Sequence, residues 1–340
     1  MELFINYVNN PKVIIGVVIT FILWLGRRHF NGPWTSVRKS MANRTIIITG
    51  CNTGIGLKTA EDLLLQGAFV VFACRDEKRA QQAIETLPSD SQKRAKFMKL
   101  DLCDFNSVNL FAQEFRKLNK SIDILINNAG VWITEFKLTK DNIEETMQAN
   151  HFGHKVLTFL LIDLMNKTEA RIINVSSIAH GWTSEADFKK LIANENFKLE
   201  NFTGGNIAYY NSKLANVFFT QHLSEICENK YSYIKTACLH PGGIFTDLVR
   251  NYKWYAIGLM YLLYPLVWYI FKSLSAGAQT TLYLCYEDFE KIQSGEYYND
   301  CKRCDTSKIA KNIETKVEFT KWSYLVLDKA LSGKFELPKI

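Results

Sequence analysis

The chain has no long basic run, no second Cys pair beside Cys301-x-x-Cys304, no His cluster, no internal repeat and no low-complexity segment. Each absence closes a class of function. Forty-one Lys and Arg against 34 Asp and Glu leave a net charge of +7. Without a basic stretch or a binding module this reads as an ordinary solvated surface, so no nucleic-acid partner is expected. A structural zinc needs four ligands; a lone Cys-x-x-Cys reads as a surface loop, and no metal is expected. The eight Cys stand at irregular spacings, with Cys51, Cys74, Cys103, Cys227, Cys238 and Cys285 inside apparent strands or helices. That usage suits reduced, buried thiols on a cytosolic face and speaks against a disulfide framework.

What is present begins with an apolar run, Val13 to Gly26 (VIIGVVITFILWLG), broken by Thr20 alone and flanked by Lys12 and by Arg27 and Arg28. A spanning helix wants about 20 residues, and Leu3 to Val8 lengthens the apolar path despite Pro11. A cleaved signal peptide needs small residues at its cleavage site, where this run meets Gly26-Arg27-Arg28. A core helix is the other alternative, but the run is apolar around its whole circumference and precedes every strand. The expectation is a membrane anchor over residues 1–30 and a basic linker over 31–43. From Arg27 to Arg44 there are five Lys or Arg and no acidic residue, a bias that places the following domain in the cytosol.

After Gly32-Pro33, short β-branched runs alternate with helical stretches, as in a parallel sheet with crossover helices. Strands are expected at 45–49, 68–73, 95–100, 122–126, 171–176, 233–239 and 296–299, and helices at 54–66, 77–86, 106–118, 142–165 and 208–229. The fold class is α/β: a doubly wound, mostly seven-stranded parallel sheet (Rossmann fold) over 44–304, with a C-terminal helical extension over 305–340. A second apolar stretch, Trp254 to Phe271, leaves the sixth strand at the edge where ligands bind in such sheets. It could be another span, but Pro265 and its Tyr- and Trp-rich make-up suit an interfacial or lid-like helix, and it reads as a lid spanning 245–273, with plain core packing as the alternative.

Two patterns carry chemistry. The turn Thr49-Gly50-Cys51-Asn52-Thr53-Gly54-Ile55-Gly56 joins the first strand to a helix. Gly50 permits a sharp turn, Gly54 a close approach of backbone N–H groups to phosphate, and Gly56 tight packing of helix on strand. A dinucleotide pyrophosphate would then sit at a helix N-terminus, although the spacing Gly-x-x-x-Gly-x-Gly is not that of the commoner dinucleotide motif. The second strand ends Ala73-Cys74-Arg75-Asp76, which offers a guanidinium for a 2′-phosphate and no carboxylate at its tip. Asp76, followed by Glu77-Lys78-Arg79, reads as a helix N-cap. NADP(H) is therefore expected ahead of NAD(H). Asp101-Leu102 and Asn127-Asn128-Ala129-Gly130 follow the third and fourth strands, where adenine and ribose would pass; a helix cap and an ordinary turn are the bland alternatives. The second pattern is Tyr209-Tyr210-Asn211-Ser212-Lys213, in which Tyr209 and Lys213 share one helix face.

These stretches, TGCNTGIG (49–56), NNAG (127–130), ANHFG around Asn150, NVSS (174–177), YYNSK (209–213) and HPGGIFT (240–246), stand in an order that resembles the short-chain dehydrogenase/reductases. ACRD (73–76), NVSSIAH (174–180), SKLANV (212–217), AGAQTTLYL (276–284) and SGEYYNDCK (294–302) are similar to the retinol dehydrogenase branch. The resemblance implies catalytic Asn150, Ser177, Tyr209 and Lys213. Tyr209 would be the general acid/base and Lys213 the charge that favours its phenolate. Ser177 would donate to the substrate oxygen, and Asn150 would complete a proton relay. It implies dinucleotide contacts from Gly50, Asn52, Thr53, Gly54, Ile55, Gly56, Arg75, Asp101, Leu102, Asn128, Ala129, Gly130, Tyr209, Lys213, Pro241, Gly242 and Thr246.

The branch further implies a lipophilic alcohol or carbonyl substrate, retinol or retinaldehyde first, and a tether to the endoplasmic reticulum. The family also implies a homodimer. A steroid or fatty-aldehyde reductase, or an NADP(H)-binding protein without turnover, are the rival readings. The roughly 30 residues between Ser177 and Tyr209 depart from the branch in length. Trp182, Phe188, Phe197 and Phe202 within them should line the substrate entrance, and His180 should stand in solvent.

Overall fold

Runs such as Thr45-Ile-Ile-Ile-Thr49 cannot expose both faces to water, and they form the buried centre of the sheet. The computed structural model describes residues 11–193, 205–244 and 268–338. An apolar helix, α1 (Pro11–Asn31), comes first. The domain then runs β1 (Thr45–Thr49), α2 (Gly54–Leu65), β2 (Phe69–Cys74), α3 (Glu77–Glu85), β3 (Ala95–Lys99), α4 (Phe105–Arg116) and β4 (Ile124–Asn127). Next come α5 (Gly153–Leu161), β5 (Ala170–Val175), α6 (Glu185–Ile192), α7 (Gly205–Lys230), β6 (Ile234–His240), α8 (Leu274–Tyr286), β7 (Glu296–Asn299), β8 (Lys302–Cys304) and α9 (Ile313–Leu331).

The sheet order is β3-β2-β1-β4-β5-β6-β7-β8. Every neighbouring pair is parallel except β7 and β8, which are antiparallel. The expected seven strands are thus joined by an eighth, a three-residue strand too short to leave a periodic signal. Asp300 and Cys301, both at positive φ, make the turn between them, so Cys301 and Cys304 belong to a hairpin. The chain winds outward from β1 to β3 and returns at β4, so a crevice opens at the carboxyl ends of β1 and β4.

Alternation along the strands feeds two cores. Ile47, Leu125 and Ile172 face α4, α5, α7 and α9, while Ile46, Ile48, Ile126 and Ile173 face α2 and α8. α9 is part of the first core through Phe319, Trp322, Val326, Leu327 and Leu331. The single helix expected over 142–165 is instead a short turn at Glu145–Met147, one π-helical turn at Gln148–Phe152, α5 and a 3₁₀ turn at Ile162–Leu164. Of the segment expected as a lid, 245–267 lies outside the described residues. Trp268–Ile270 is helical and leads into α8.

α1 is the one helix among the described residues long and apolar enough to cross a membrane, and none of its apolar stretch is buried in the domain. Ile15, Val17, Phe21, Ile22 and Trp24 are all more than half exposed.

Lys155 of α5 is buried against α9, where its Nζ donates to Ser323 Oγ at 2.6 Å and lies 4.1 Å from the Tyr324 ring centroid. Burial lowers its pKa to about 7. In the unfolded chain Lys titrates near 10.4, so between these values the unfolded state binds more protons and stability rises with pH. Lys155→Met is expected to raise the unfolding midpoint, most at pH 6 and progressively less toward pH 10. Ser323 Oγ keeps a bond to Thr320 O at 2.8 Å, so the substitution leaves no orphan hydroxyl. A variant less stable than the wild type at pH 6 would contradict this account.

Candidate active site

The Gly-rich turn opens at Gly50, whose φ of +65° suits glycine and whose N–H donates to Ala73 O at 2.9 Å. Its neighbour across the switch point is the β4 turn. Asn128 N and Ala129 N both donate to Thr49 Oγ1 at 2.9 Å, and Asn128 Nδ2 donates to Thr49 O at 2.8 Å. Asn127 Nδ2 donates to Asn174 Oδ1 on β5 at 2.8 Å. Asn-Asn-Ala-Gly is therefore a brace under the glycine turn and not an ordinary loop. Thr49 Oγ1 also meets His154 Nε2 at 2.8 Å, and His154 Nδ1 meets Asn150 O at 3.1 Å.

Gly54 stands at φ +62°, and a Cβ built there meets nothing within 4 Å. No acidic residue occupies the first turn of α2, so the positive end of that helix faces the opening without a carboxylate to offset it. These features fit a dinucleotide diphosphate. Asp76 Oδ1 accepts from Arg79 N at 3.0 Å as the N-cap of α3, while Arg75 is exposed. Asp101 Oδ1 accepts from Cys103 N at 3.0 Å, and Leu102 is buried with its carbonyl close to Gly153. Gly242 follows β6 at φ +97°. Thr246 lies outside the described residues.

Asn150 sits in the π-helical turn and is fully buried, a distortion often found at functional sites. Its Oδ1 accepts from Val131 N at 2.7 Å, and its Nδ2 donates to Val131 O at 2.9 Å and Ser212 Oγ at 3.0 Å. Asn150 therefore holds the strand exit at Val131 against α7. Tyr209 and Lys213 share the inner face of α7 at 5 % and 3 % exposure, with Nζ 5.5 Å from the phenol ring centroid. Lys213 Nζ donates to Val175 O at 3.2 Å, and a Cβ built on Gly130 would lie 3.4 Å from it. Burial lowers the Lys213 pKa to about 8.

Ser176 and Ser177, adjacent at the end of β5, have different surroundings. Ser176 is buried and its Oγ donates to Lys213 O at 2.7 Å, whereas half-buried Ser177 accepts from Ala179 N at 3.2 Å at the start of a 3₁₀ turn.

Three side chains in the neighbourhood differ from expectation. His180 is buried, not solvated: its Nδ1 meets Ser177 O at 2.7 Å and its Nε2 accepts from Ser307 N at 3.1 Å. Burial lowers its pKa, so the ring is neutral and ties the Ser177 turn to the C-terminal segment. Phe188 is fully buried against Phe218 and Phe319 and so does not line an entrance; Phe197 and Phe202 lie outside the described residues. Trp132, not singled out in the sequence, stacks on Tyr209 with centroids 4.3 Å apart and planes 2° from parallel. Its only early signal is its place two residues after Gly130. Trp182, 57 % exposed, meets Tyr210 edge-on and extends this aromatic rim.

Residues 44–186 match the family model described as short chain dehydrogenase. Mouse retinol dehydrogenase 12 is 36 % identical over 292 residues, covering 85 % of this chain and 88 % of that one. Human retinol dehydrogenase 11 is 36 % identical over 302 residues, covering 87 % and 91 %. Among solved structures, an uncharacterised protein from Mycobacterium paratuberculosis superposes with TM-score 0.69 at 27 % identity, covering 90 % of this chain and 100 % of that one. A short chain dehydrogenase from Burkholderia cenocepacia in complex with NADP gives TM-score 0.58 at 20 % identity, over 76 % and 96 %. This chain is therefore a member of the short-chain dehydrogenase family, an oxidoreductase of the nicotinamide-dinucleotide class with retinol dehydrogenases among its relatives.

Proposed function

We propose that this protein is an NADP(H)-dependent oxidoreductase that interconverts a lipophilic alcohol and its carbonyl, with retinol and retinaldehyde as the leading pair. The observation that carries this reading is the burial of Tyr209 and Lys213 on one face of α7, which Ser212 ties to Asn150 and which brings Lys213 Nζ up to Gly130 at the end of β4. The bound nicotinamide supplies or accepts the hydride. Tyr209 gives its phenolic proton to the carbonyl oxygen in reduction and takes it back in oxidation. Lys213, protonated below about pH 8, places a positive charge near that phenol and favours its ionised form. Ser177 is free to turn its hydroxyl hydrogen toward the substrate oxygen, because its own contact with Ala179 N uses only a lone pair. The aromatic rim of Trp132, Tyr210 and Trp182 suits a flat, apolar substrate.

Preference for the phosphorylated dinucleotide is read from Arg75, since Asp76 is engaged as a cap; the Burkholderia relative carries NADP. A charge-assisted contact is worth about 1.5–3 kcal/mol, so Arg75→Glu is expected to weaken NADPH binding roughly 10–100-fold and leave NADH little changed. Titration of both dinucleotides checks it; equal losses for the two would remove Arg75 from the 2′-phosphate.

α1 is read as an anchor in the endoplasmic reticulum membrane with the domain on the cytosolic side, so that a bilayer-dissolved substrate reaches the crevice laterally. Any homodimer would form away from the side of α7 that α9 covers through Phe218 and Phe319. The experiment is an NADPH-oxidation screen across retinaldehyde, steroid ketones and long-chain aldehydes. Preference for retinaldehyde supports the reading, a steroid or fatty aldehyde redirects it, and NADPH binding without oxidation of any carbonyl supports a non-catalytic dinucleotide binder instead.

A further inference from the structure

We propose that α1 is also a structural element of the dinucleotide site: its carboxyl end holds the strap Trp268–Lys272, which in turn fixes the loop after β6, making Arg27 and Asn31 positioning residues. This rests on the dinucleotide reading above and extends it to residues more than 200 positions away in sequence.

Two side chains at the end of α1 reach the strap, and a third holds the residue that follows it. Arg27 Nη1 donates to Phe271 O at 2.5 Å and Tyr269 O at 3.3 Å, and its guanidinium carbon lies 4.7 Å from the Trp268 ring centroid. Phe30 meets Tyr269 edge-on at 5.6 Å. Asn31 Oδ1 accepts from Ser273 N at 3.0 Å, at the N-cap of α8.

The strap passes this hold to the loop. Lys272 N donates to Gly243 O at 2.8 Å, and Lys272 pairs with Ile244 in a parallel bridge. The Lys272 side chain runs directly against Gly242 and forms an ion pair with Asp300 at the β7–β8 turn. Gly32, just past α1, is close to the same Lys272 and Asp300 atoms. Lys272 thus sits where the exit of α1, the loop and the hairpin meet.

Charged donors to backbone carbonyls are among the stronger hydrogen bonds, and a loop with few other contacts opens at low free energy. Removing Arg27 frees two strap carbonyls and the Trp268 face together. Pro241 and Gly242 then lose their fixed position, and the dinucleotide must order them as it binds. The apolar helix α1 and the loop expected to cover the nicotinamide are in this way one mechanical unit.

The test uses the full chain in lipid nanodiscs, with NADPH affinity followed by energy transfer from tryptophan to the reduced nicotinamide. Hydrogen exchange of peptides covering 240–244 and 268–273 gives a second readout. Arg27→Ala and Asn31→Ala are expected to weaken NADPH binding about tenfold and to speed exchange in both peptides, while the protein stays in the membrane fraction. Asn31→Asp keeps the acceptor and should remain within about twofold of the wild type. Unchanged affinity in Arg27→Ala, or faster exchange at 268–273 alone, would overturn the proposal. A wild-type chain that does not bind NADPH would instead bring down the dinucleotide reading, a result distinct from loss in the variants alone.

Discussion

Tyr209→Phe is expected to lower kcat/KM for a lipophilic aldehyde with NADPH by roughly 10²–10⁴-fold, the usual contribution of one positioned acid/base group. The substitution removes a single oxygen. The ring that remains is buried and stacked 4.3 Å from Trp132, so the packing that orders this part of α7 persists. Lys213 keeps its bond to Val175 O, and with it the charge beside the crevice. Unfolding midpoint and NADPH affinity should therefore match the wild type while turnover collapses. In the wild type the Lys213 charge is lost as pH rises through about 8 in the dinucleotide-free chain. NADPH affinity should fall over the same interval, and Lys213→Met should abolish that pH dependence. A Phe variant with wild-type turnover would move the acid elsewhere, with Tyr210, whose ring centroid lies 6.4 Å away, the next candidate.

What could be read from the sequence divides along a physical line. β1 lies where its β-branched run places it, because burial on both faces leaves an unbroken apolar signal, and β7 lies where its paired tyrosines Tyr297 and Tyr298 place it. The N-cap at Asp76 was also legible, since it depends on neighbours within three residues. The misread residues owe their environment to distant chain. His180 is buried because Ser307, 127 residues on, closes over it. Phe188 is buried because α9 supplies Phe319. The π-helical turn at Asn150 depends on Val131 and Ser212, 19 and 62 residues away, and a helical pattern in 142–165 carries no sign of them. Trp132 acquires its importance only when β4 and α7 are side by side.

Two glycines of the same turn should fail in opposite ways. Gly54 has the left-handed backbone, φ +62°, but open space around its missing Cβ. Alanine there carries a conformational penalty of about 1–2 kcal/mol and projects a methyl group into the mouth of the phosphate cradle. Gly56 has no left-handed backbone, yet a Cβ on it would stand 2.8 Å from Gly50 O, 2.9 Å from Cys51 Cα and 2.5 Å from Asn128 Nδ2. Two of those neighbours are backbone, so the β1–α2 turn must open and the Asn128 bond to Thr49 O must stretch. Overpacking of this kind costs about 1–3 kcal/mol, and here it falls on the brace between β1 and β4. Thermal unfolding with and without NADPH separates the two. Saturation at 100 times the dissociation constant stabilises a binding-competent chain by about 2.7 kcal/mol. Gly54→Ala should unfold only modestly below the wild type without dinucleotide, by its backbone penalty alone, and lose most of the NADPH-induced rise. Gly56→Ala should unfold at clearly lower temperature even alone. The reverse order would mean that Gly54 supports the fold and Gly56 faces the ligand, and the diphosphate would have to be placed elsewhere along the turn.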